Sequence, residues 1–257
     1  MLETQRHQLI LDILDEQQFV SVRNLSSKLS TSEATIRRDI NKLFVREKLK
    51  KIRGGAQSLN GQSSQRQLLG SAFAEDKQKH ADQKRLIAKT AVSICADNES
   101  VIINGGSSTY MMGEFLANRR INILTNSFVL AQYLAEYSDN QVTLPGGELY
   151  RKQGIVLSAF ENDTIQYYRS SKMFMGTPGF NLAGVTESDP LLIRAEQKLR
   201  KQADELIVLA DSSKLGKQSN FLFCSLKEVD ILITDSHADK DLIEQIEAED
   251  VEVIIAE

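Results

Sequence analysis

The chain has little from which to build a metal centre or a disulfide framework, with 2 cysteines and 3 histidines among 257 residues. Cys95 and Cys224 stand in the apolar contexts SICAD and FLFCSL with no CxxC spacing, so both read as small buried hydrophobes. His7, His80 and His237 lie far apart and none has a ligand-type partner at i+2 or i+4, so neither a metal nor a cofactor is expected. There is no apolar run of 18 residues and no signal sequence, which excludes a helical membrane span and leads to the expectation of a soluble, cytoplasmic protein. No internal repeat is visible. At 41% hydrophobic residues the chain can bury a large core, more than one small domain needs. The net charge of -4 argues against nucleic acid only until it is divided. Residues 1–57 hold 11 Lys/Arg against 7 Asp/Glu, a net +4, which leaves -8 for the remainder. A basic head on an acidic body favours approach to phosphate at one end.

Residues 22–56 carry the most information: VRNLSSKLSTSEATIRRDINKLFVREKLKKIRGGA. The spacing predicts two short amphipathic helices with a polar turn between them. On the second, Ile36, Ile40 and Leu43 fall within roughly 60° of one another and form the docking face toward Leu25 and Leu29. Ala34, Arg38 and Asn41 then face outward, flanked by Thr35, Arg37 and Lys42. Ser32 or Thr31 can cap the helix start before Glu33. An exposed, basic, capped helix is what the major groove of B-DNA admits, and arginine and asparagine can each bond bidentately to a base edge. Taken alone, the Arg37–Arg38 pair reads as ordinary surface charge; the neighbouring features shift that reading. Leu9, Ile10, Ile13 and Leu14 recur at helical spacing over residues 3–17, and Phe19 to Val22 reads as a short strand. Leu49 and Ile52 alternate among the cations Lys48, Lys50, Lys51 and Arg53 before the glycine pair Gly54-Gly55. Together these describe a winged helix-turn-helix whose wing, through Lys50, Lys51 and Arg53, can reach phosphate.

LSTSEATIRRDINKL followed by LKKIRGGA resembles the signature of the DeoR family of bacterial transcriptional regulators over about thirty consecutive positions. The resemblance implies a winged helix-turn-helix joined to a sugar-phosphate-sensing domain, with double-stranded operator DNA as partner. Glu47 stands where the family usually has a turn glycine, and Arg53 where a histidine is common.

Residues 57–70, QSLNGQSSQRQLLG, are rich in Gln, Ser and Gly and lack a sustained period, as a linker would. This divides the chain into a reader at 1–57, a linker at 58–73 and a second domain at 74–257. A long helical pattern covers 74–95. Strands then alternate with helices: ESVIIN, a helix from Ser108, INILT, a helix from Ser127, QVTLP, a helix near 159–168, KMFMG, a helix at 190–202, ELIVLA, VDILIT, a helix at 239–249, and VEVII. Such alternation implies an α/β domain with a mostly parallel sheet.

Ligands of parallel sheets bind at the carboxyl ends of strands. After VII comes Asn104-Gly105-Gly106-Ser107-Ser108-Thr109, a small-residue loop opening a helix, which suits a phosphate or serves only as a turn. Further strand ends fall at Asn126, at Gly147, and at Asp211 with Lys214. This half resembles the sensor half of the same family, which shares its fold with ribose-5-phosphate isomerase and CoA transferases. The resemblance implies Gly106, Ser107, Ser108 and Thr109 as a phosphate loop and Asn126 and Lys214 as further contacts; Asn104 stands where many members have aspartate. Glu196 and Lys198 lie in a stretch the family keeps, or on a solvated helix face. INGGSS, LTNSFVLAQYL, AEQKL and DSSKLG look most like the members that govern L-ascorbate utilisation, which implies L-ascorbate 6-phosphate as effector.

The expected function is a repressor of a carbohydrate utilisation operon, controlled by a phosphorylated sugar or sugar acid and acting as a homodimer or homotetramer. The alternative is an isomerase-like enzyme with an appended reader. Proton transfer in isomerisation needs a positioned carboxylate. Asn104 and Asn126 cannot serve, which leaves Asp211, Glu187 and Glu196, and the expectation is binding without turnover.

Overall fold

Apolar periodicity in the first sixty residues closes on itself. The computed structural model describes residues 3–17, 19–46, 48–58, 71–158, 160 and 163–257. Helices α1 (Glu3–Gln17), α2 (Val22–Lys28) and α3 (Glu33–Val45) pack with a three-stranded sheet of order β1-β3-β2, formed by Phe19–Ser21, Gly55–Ser58 and Leu49–Ile52. Ile10, Leu14, Leu25, Ile36, Ile40, Leu43 and Leu49 make the core; full burial of each such side chain contributes about 2 kcal/mol before entropy. Leu9, expected on the inner face of α1, is exposed. Val22 opens α2 rather than closing a strand, because the Ser21 hydroxyl accepts from the Asn24 amide and caps the helix there. The hairpin between β2 and β3 turns through Arg53-Gly54, and Gly54 adopts φ +80, which an L side chain rarely takes. Glu47 and most of the expected linker lie outside the described residues. The reader's last strand extends to Ser58.

The chain divides into two compact units, Met1–Leu68 and Leu69–Glu257. In the second unit a seven-stranded, wholly parallel sheet runs in the order β15-β14-β12-β9-β4-β5-β6. The strands are β4 (Ser100–Ile103), β5 (Asn122–Thr125), β6 (Gln141–Thr143), β9 (Ser170–Gly176), β12 (Ala203–Leu209), β14 (Ile231–Asp235) and β15 (Glu252–Ala256). Val101, Ile103, Ile207 and Leu209 face one core, while Ile102, Met173, Leu206 and Val208 face the other. Burial on both faces is why these strands are unbroken apolar runs.

One face is covered by helices: α4 (Ser71–Gln78), α5 (Ala81–Ser93), α6 (Ser107–Tyr110), α7 (Met112–Leu116) and α8 (Phe128–Tyr137) belong to this part of the chain, and α5, α7 and α8 carry its core side chains. The other face packs against Leu199 of α9 (Pro190–Arg200), Ile246 of α10 (Lys240–Glu247) and a small antiparallel sheet of β10 (Gly179–Asn181), β11 (Gly184–Glu187) and β13 (Phe221–Cys224). Three expectations are corrected. The single helical pattern over 74–95 is two helices, separated where His80 takes φ 52. The helix near 159–168 is one 3-10 turn, Thr164–Tyr167. Between β6 and β9 the chain also forms the hairpin of β7 (Glu148–Tyr150) and β8 (Ile155–Leu157).

Candidate functional site

In the first unit, α3 presents Ala34, Arg38 and Asn41 on its exposed face, with Arg37 and Lys42 exposed beside them and Thr35 half-buried. Ser32 caps the helix, its hydroxyl accepting from the Thr35 amide at 3.3 Å. Arg37 is paired with Glu33 at 3.1 Å and Lys42 with Glu3 at 2.7 Å. Exposed pairs of this kind contribute about 0–1 kcal/mol, so phosphate can displace them. Lys51 in the wing donates to the Asn41 side-chain oxygen at 2.8 Å. That contact ties wing to helix and occupies the oxygen Asn41 would need for a bidentate bond to a base. Among the described residues, Arg38, Lys50 and Arg53 make no polar side-chain contact.

Beneath this face lies a group that the sequence reading missed. Asp39 is buried and accepts from Arg6 Nε at 2.6 Å, Arg6 Nη2 at 3.1 Å and His7 Nε2 at 3.1 Å. Burial pushes its carboxyl up, but the bonds from Arg6 and His7 outweigh that and hold it below the usual carboxylate range. The clamp fixes α1 against α3. The readable signal was an acid at i+3 from Ile36 and i-4 from Leu43, on the apolar stripe.

In the second unit the chain winds outward from β4 through β5 to β6, then returns to the other side of β4 with β9 and winds the opposite way. The reversal opens a crevice beyond the carboxyl ends of β4 and β9. Gly105, Gly106, Ser107 and Ser108 from the β4 end and Gly176, Thr177 and Pro178 from the β9 end line a cavity of about 130 Å³, with Lys84, Glu187 and Lys214 on its wall. The first backbone N–H groups of α6 have no partners within the helix.

Lys84 was not foreseen, although it sits on α5 in register with Ile87, Ala88 and Ala91, a lysine in the buried stripe. Only 2% of its surface is exposed. Burial lowers its pKa, Asp211 opposes that and Lys214 reinforces it. Its ammonium donates to the Asp76 carbonyl.

Several expected contacts instead build the wall from behind. The Asn104 side-chain oxygen accepts from the Gly176 amide at 3.0 Å and its Nδ2 donates to Glu196 at 2.8 Å, joining β4 to β9 and to α9. Thr109 spends its hydroxyl on the carbonyls of Asn104 at 2.9 Å and Gly106 at 3.1 Å, so it shapes the loop and does not line the cavity. Asn126 accepts from the Gly105 amide at 2.8 Å. Asp211 is buried and accepts from the Ser213 amide at 3.1 Å, one residue before Lys214. Gly147 does not join the crevice: it lines a separate groove with Tyr150, Leu157 and Leu191, and a Cβ there would meet the Leu157 carbonyl oxygen at 2.3 Å. Glu196 is buried, and burial followed by the charge of Glu187 raises its pKa well above the ordinary value, against the bond from Asn104. Lys198 is held by Asp163 at 2.9 Å on another face. Among the described residues there is no cluster of His, Cys, Asp and Glu that could hold a metal, and no helix is long and apolar enough to cross a membrane.

Comparison with known proteins adds both halves. A DeoR-like helix-turn-helix domain matches residues 6–62, and a DeoR C terminal sensor domain matches residues 79–236. The HTH-type transcriptional regulators UlaR of Shigella sonnei (strain Ss046), Salmonella arizonae and Escherichia coli O9:H4 (strain HS) are each 36% identical over 254 residues, covering 99% of this chain and 99% of theirs. Among solved structures, ribose 5-phosphate isomerase A from Methanocaldococcus jannaschii aligns at a TM-score of 0.41 and 18% identity, over 53% of this chain and 55% of that one. Translation initiation factor eIF-2B from Pyrococcus horikoshii aligns at 0.38 and 12%, over 56% and 50%.

Proposed function

The chain belongs to the DeoR family of helix-turn-helix transcriptional regulators, and from that premise we propose that it is a cytoplasmic repressor of a carbohydrate utilisation operon, released from its operator by a phosphorylated sugar or sugar acid. L-ascorbate 6-phosphate is the first compound to test, given the UlaR relatives. The observation that carries the effector class is the meeting of Lys84 and Lys214 with the Gly106–Ser108 loop around one small cavity. A phosphate needs charge and donors together, and this wall supplies ammonium groups, hydroxyls and free amides. In the reader, Arg38 is the base-contacting side chain, Asn41 joins it once Lys51 lets go, and Arg37, Lys42, Lys50, Lys51 and Arg53 serve phosphates, with Ser32, Ala34 and Thr35 at the groove-facing start of α3. The active assembly is a homodimer or homotetramer that offers two readers to two half-sites.

Binding without turnover is favoured by the acids. Glu196 is turned toward Asn104 and Asp211 stands behind Lys214, so of the three acids only Glu187 lines the cavity, and its Oε1 accepts from Ser188 Oγ at 3.0 Å and from the Asp189 amide at 3.2 Å. The test is fluorescence anisotropy of labelled DNA from upstream of the neighbouring genes, titrated with the full chain in the presence of L-ascorbate 6-phosphate, L-ascorbate or D-ribose 5-phosphate. Weaker DNA binding with a phosphorylated compound and not with L-ascorbate is the expected result. Indifference to every phosphate, or conversion of one into product, would overturn the reading.

A further inference from the structure

A buried lysine needs fixed partners: Asp211 supplies opposite charge, and the hydrogen-bond partner of Lys84 lies on α4, the first described element after the reader. Its ammonium donates to the Asp76 backbone carbonyl. The same helix sets Phe73 edge-on against Tyr110, ring centroids 5.6 Å apart, and lays Lys77 over the Tyr110 ring at 4.4 Å. Phe73 and Asp76 also line the crevice, and Tyr110 closes the short helix that begins at the Ser107–Ser108 loop. The contacts that dock α4 are therefore at the ligand cavity or within two residues of its wall.

We infer that Lys84 couples the crevice to the reader: an anion bound there draws the ammonium off the Asp76 carbonyl, α4 loses that anchor, and the loosened helix weakens the hold on DNA. The inference rests on the crevice accepting a phosphorylated compound, as proposed above. The ammonium has three donors, and a bond to an anionic oxygen is roughly twice as strong as one to a neutral carbonyl, so the group re-aims toward the anion at the carbonyl's expense. Release of α4 frees its 8 residues from the second unit. For paired readers, a longer tether of that order lowers the effective concentration of the second reader at its half-site by about twofold.

Hydrogen exchange and DNA affinity, measured on the full chain, test this in two arms. Without any ligand, Lys84→Met removes the donor while keeping a long apolar stem. The expected result is roughly tenfold faster exchange of the amides in 71–80 and about twofold weaker DNA binding than the parent. Unchanged exchange, or faster exchange with parental DNA affinity, overturns the coupling. Phe73→Ala loosens the same helix with Lys84 in place and is expected to reproduce both effects; it decides the matter should the lysine variant fail to fold. In the second arm the parent receives L-ascorbate 6-phosphate or inorganic phosphate. Faster exchange in 71–80 with slower exchange in 105–109 supports the coupling, and protection of both segments overturns it. A parent whose melting temperature responds to neither compound counts against the sugar-phosphate reading, and the ligand-free arm then judges the coupling alone.

Discussion

Arg38 projects from α3 with no polar partner among the described residues, whereas Asp39, one position on, is buried under Arg6 and His7. Arg38→Ala is expected to weaken binding to the specific operator by about 1–3 kcal/mol and to relax preference at one base position, while random DNA is bound nearly as before. Titrating both DNAs checks it, and equal weakening on the two would make Arg38 a phosphate contact. Asp39→Ala removes the buried acceptor shared by Arg6 and His7 and is expected to cost the reader about 3 kcal/mol, read as an earlier first transition in thermal melts. Because the folded carboxyl titrates below its unfolded value, its contribution is complete above about pH 4 and is lost as the pH falls through the lower folded value. Acid melts of the parent should show that loss; melts of Asp39→Asn should lack this component. In the crevice, Lys214→Met is expected to remove about 2 kcal/mol of affinity for a phosphorylated effector and to spare operator binding. Ligand-dependent melting reads the first and anisotropy the second. Exposed basic residues on α3 were legible because helical angle alone places them. Asp39 and Lys84 were not, since each looks like one more charge until its position on an apolar stripe is set beside its neighbours.

The elements that could be read are those with strong periods. VII of β4 and LIVL of β12 are buried on both faces and stand out as apolar runs, and Ser32 and Ser127 cap helices as short hydroxyl side chains do. ELY, GFN and GVTE could not be found this way: each is a three- or four-residue strand with neither an apolar run nor a period, and its antiparallel pairing comes from the neighbouring chain. The break at His80 carries no glycine or proline to announce it. In the wing, where the glycine pair announced a tight turn that falls at Arg53-Gly54, Lys50→Ala is expected to lower the slope of log affinity against log salt by about one unit, because one phosphate contact is lost. An unchanged slope would take β2 out of the interface. Lys51→Met should lower the slope too and should free the Asn41 amide, so its effect on random DNA is expected to exceed its effect on the operator.

For the whole molecule, one reader helix covers only a few base pairs, and two readers separated by about 10 base pairs or a multiple are the common solution. Light scattering at micromolar concentration is expected to give at least two chains per particle, and a strict monomer that still held its operator at nanomolar concentration would contradict this. The division of charge was legible from counting, and the Gly106–Ser108 loop and Lys214 from their strand ends; that Gly176, Thr177 and Lys84 meet them in one crevice was not, because it belongs to strand order, which no local pattern encodes. That order also governs how the molecule comes into being. Asn104 and Gly176, whose bond joins the two sides of the crevice, are 72 residues apart, while the reader's three strands pair within its own first 58 residues. Loop closure makes the distant pairing slow and leaves the near one quick. During synthesis the reader emerges first and folds as its own unit. A nascent chain therefore completes its helix-turn-helix well before Gly176 has left the ribosome, so on the function proposed above there is an interval in which the part that meets DNA exists and the part that answers the effector does not.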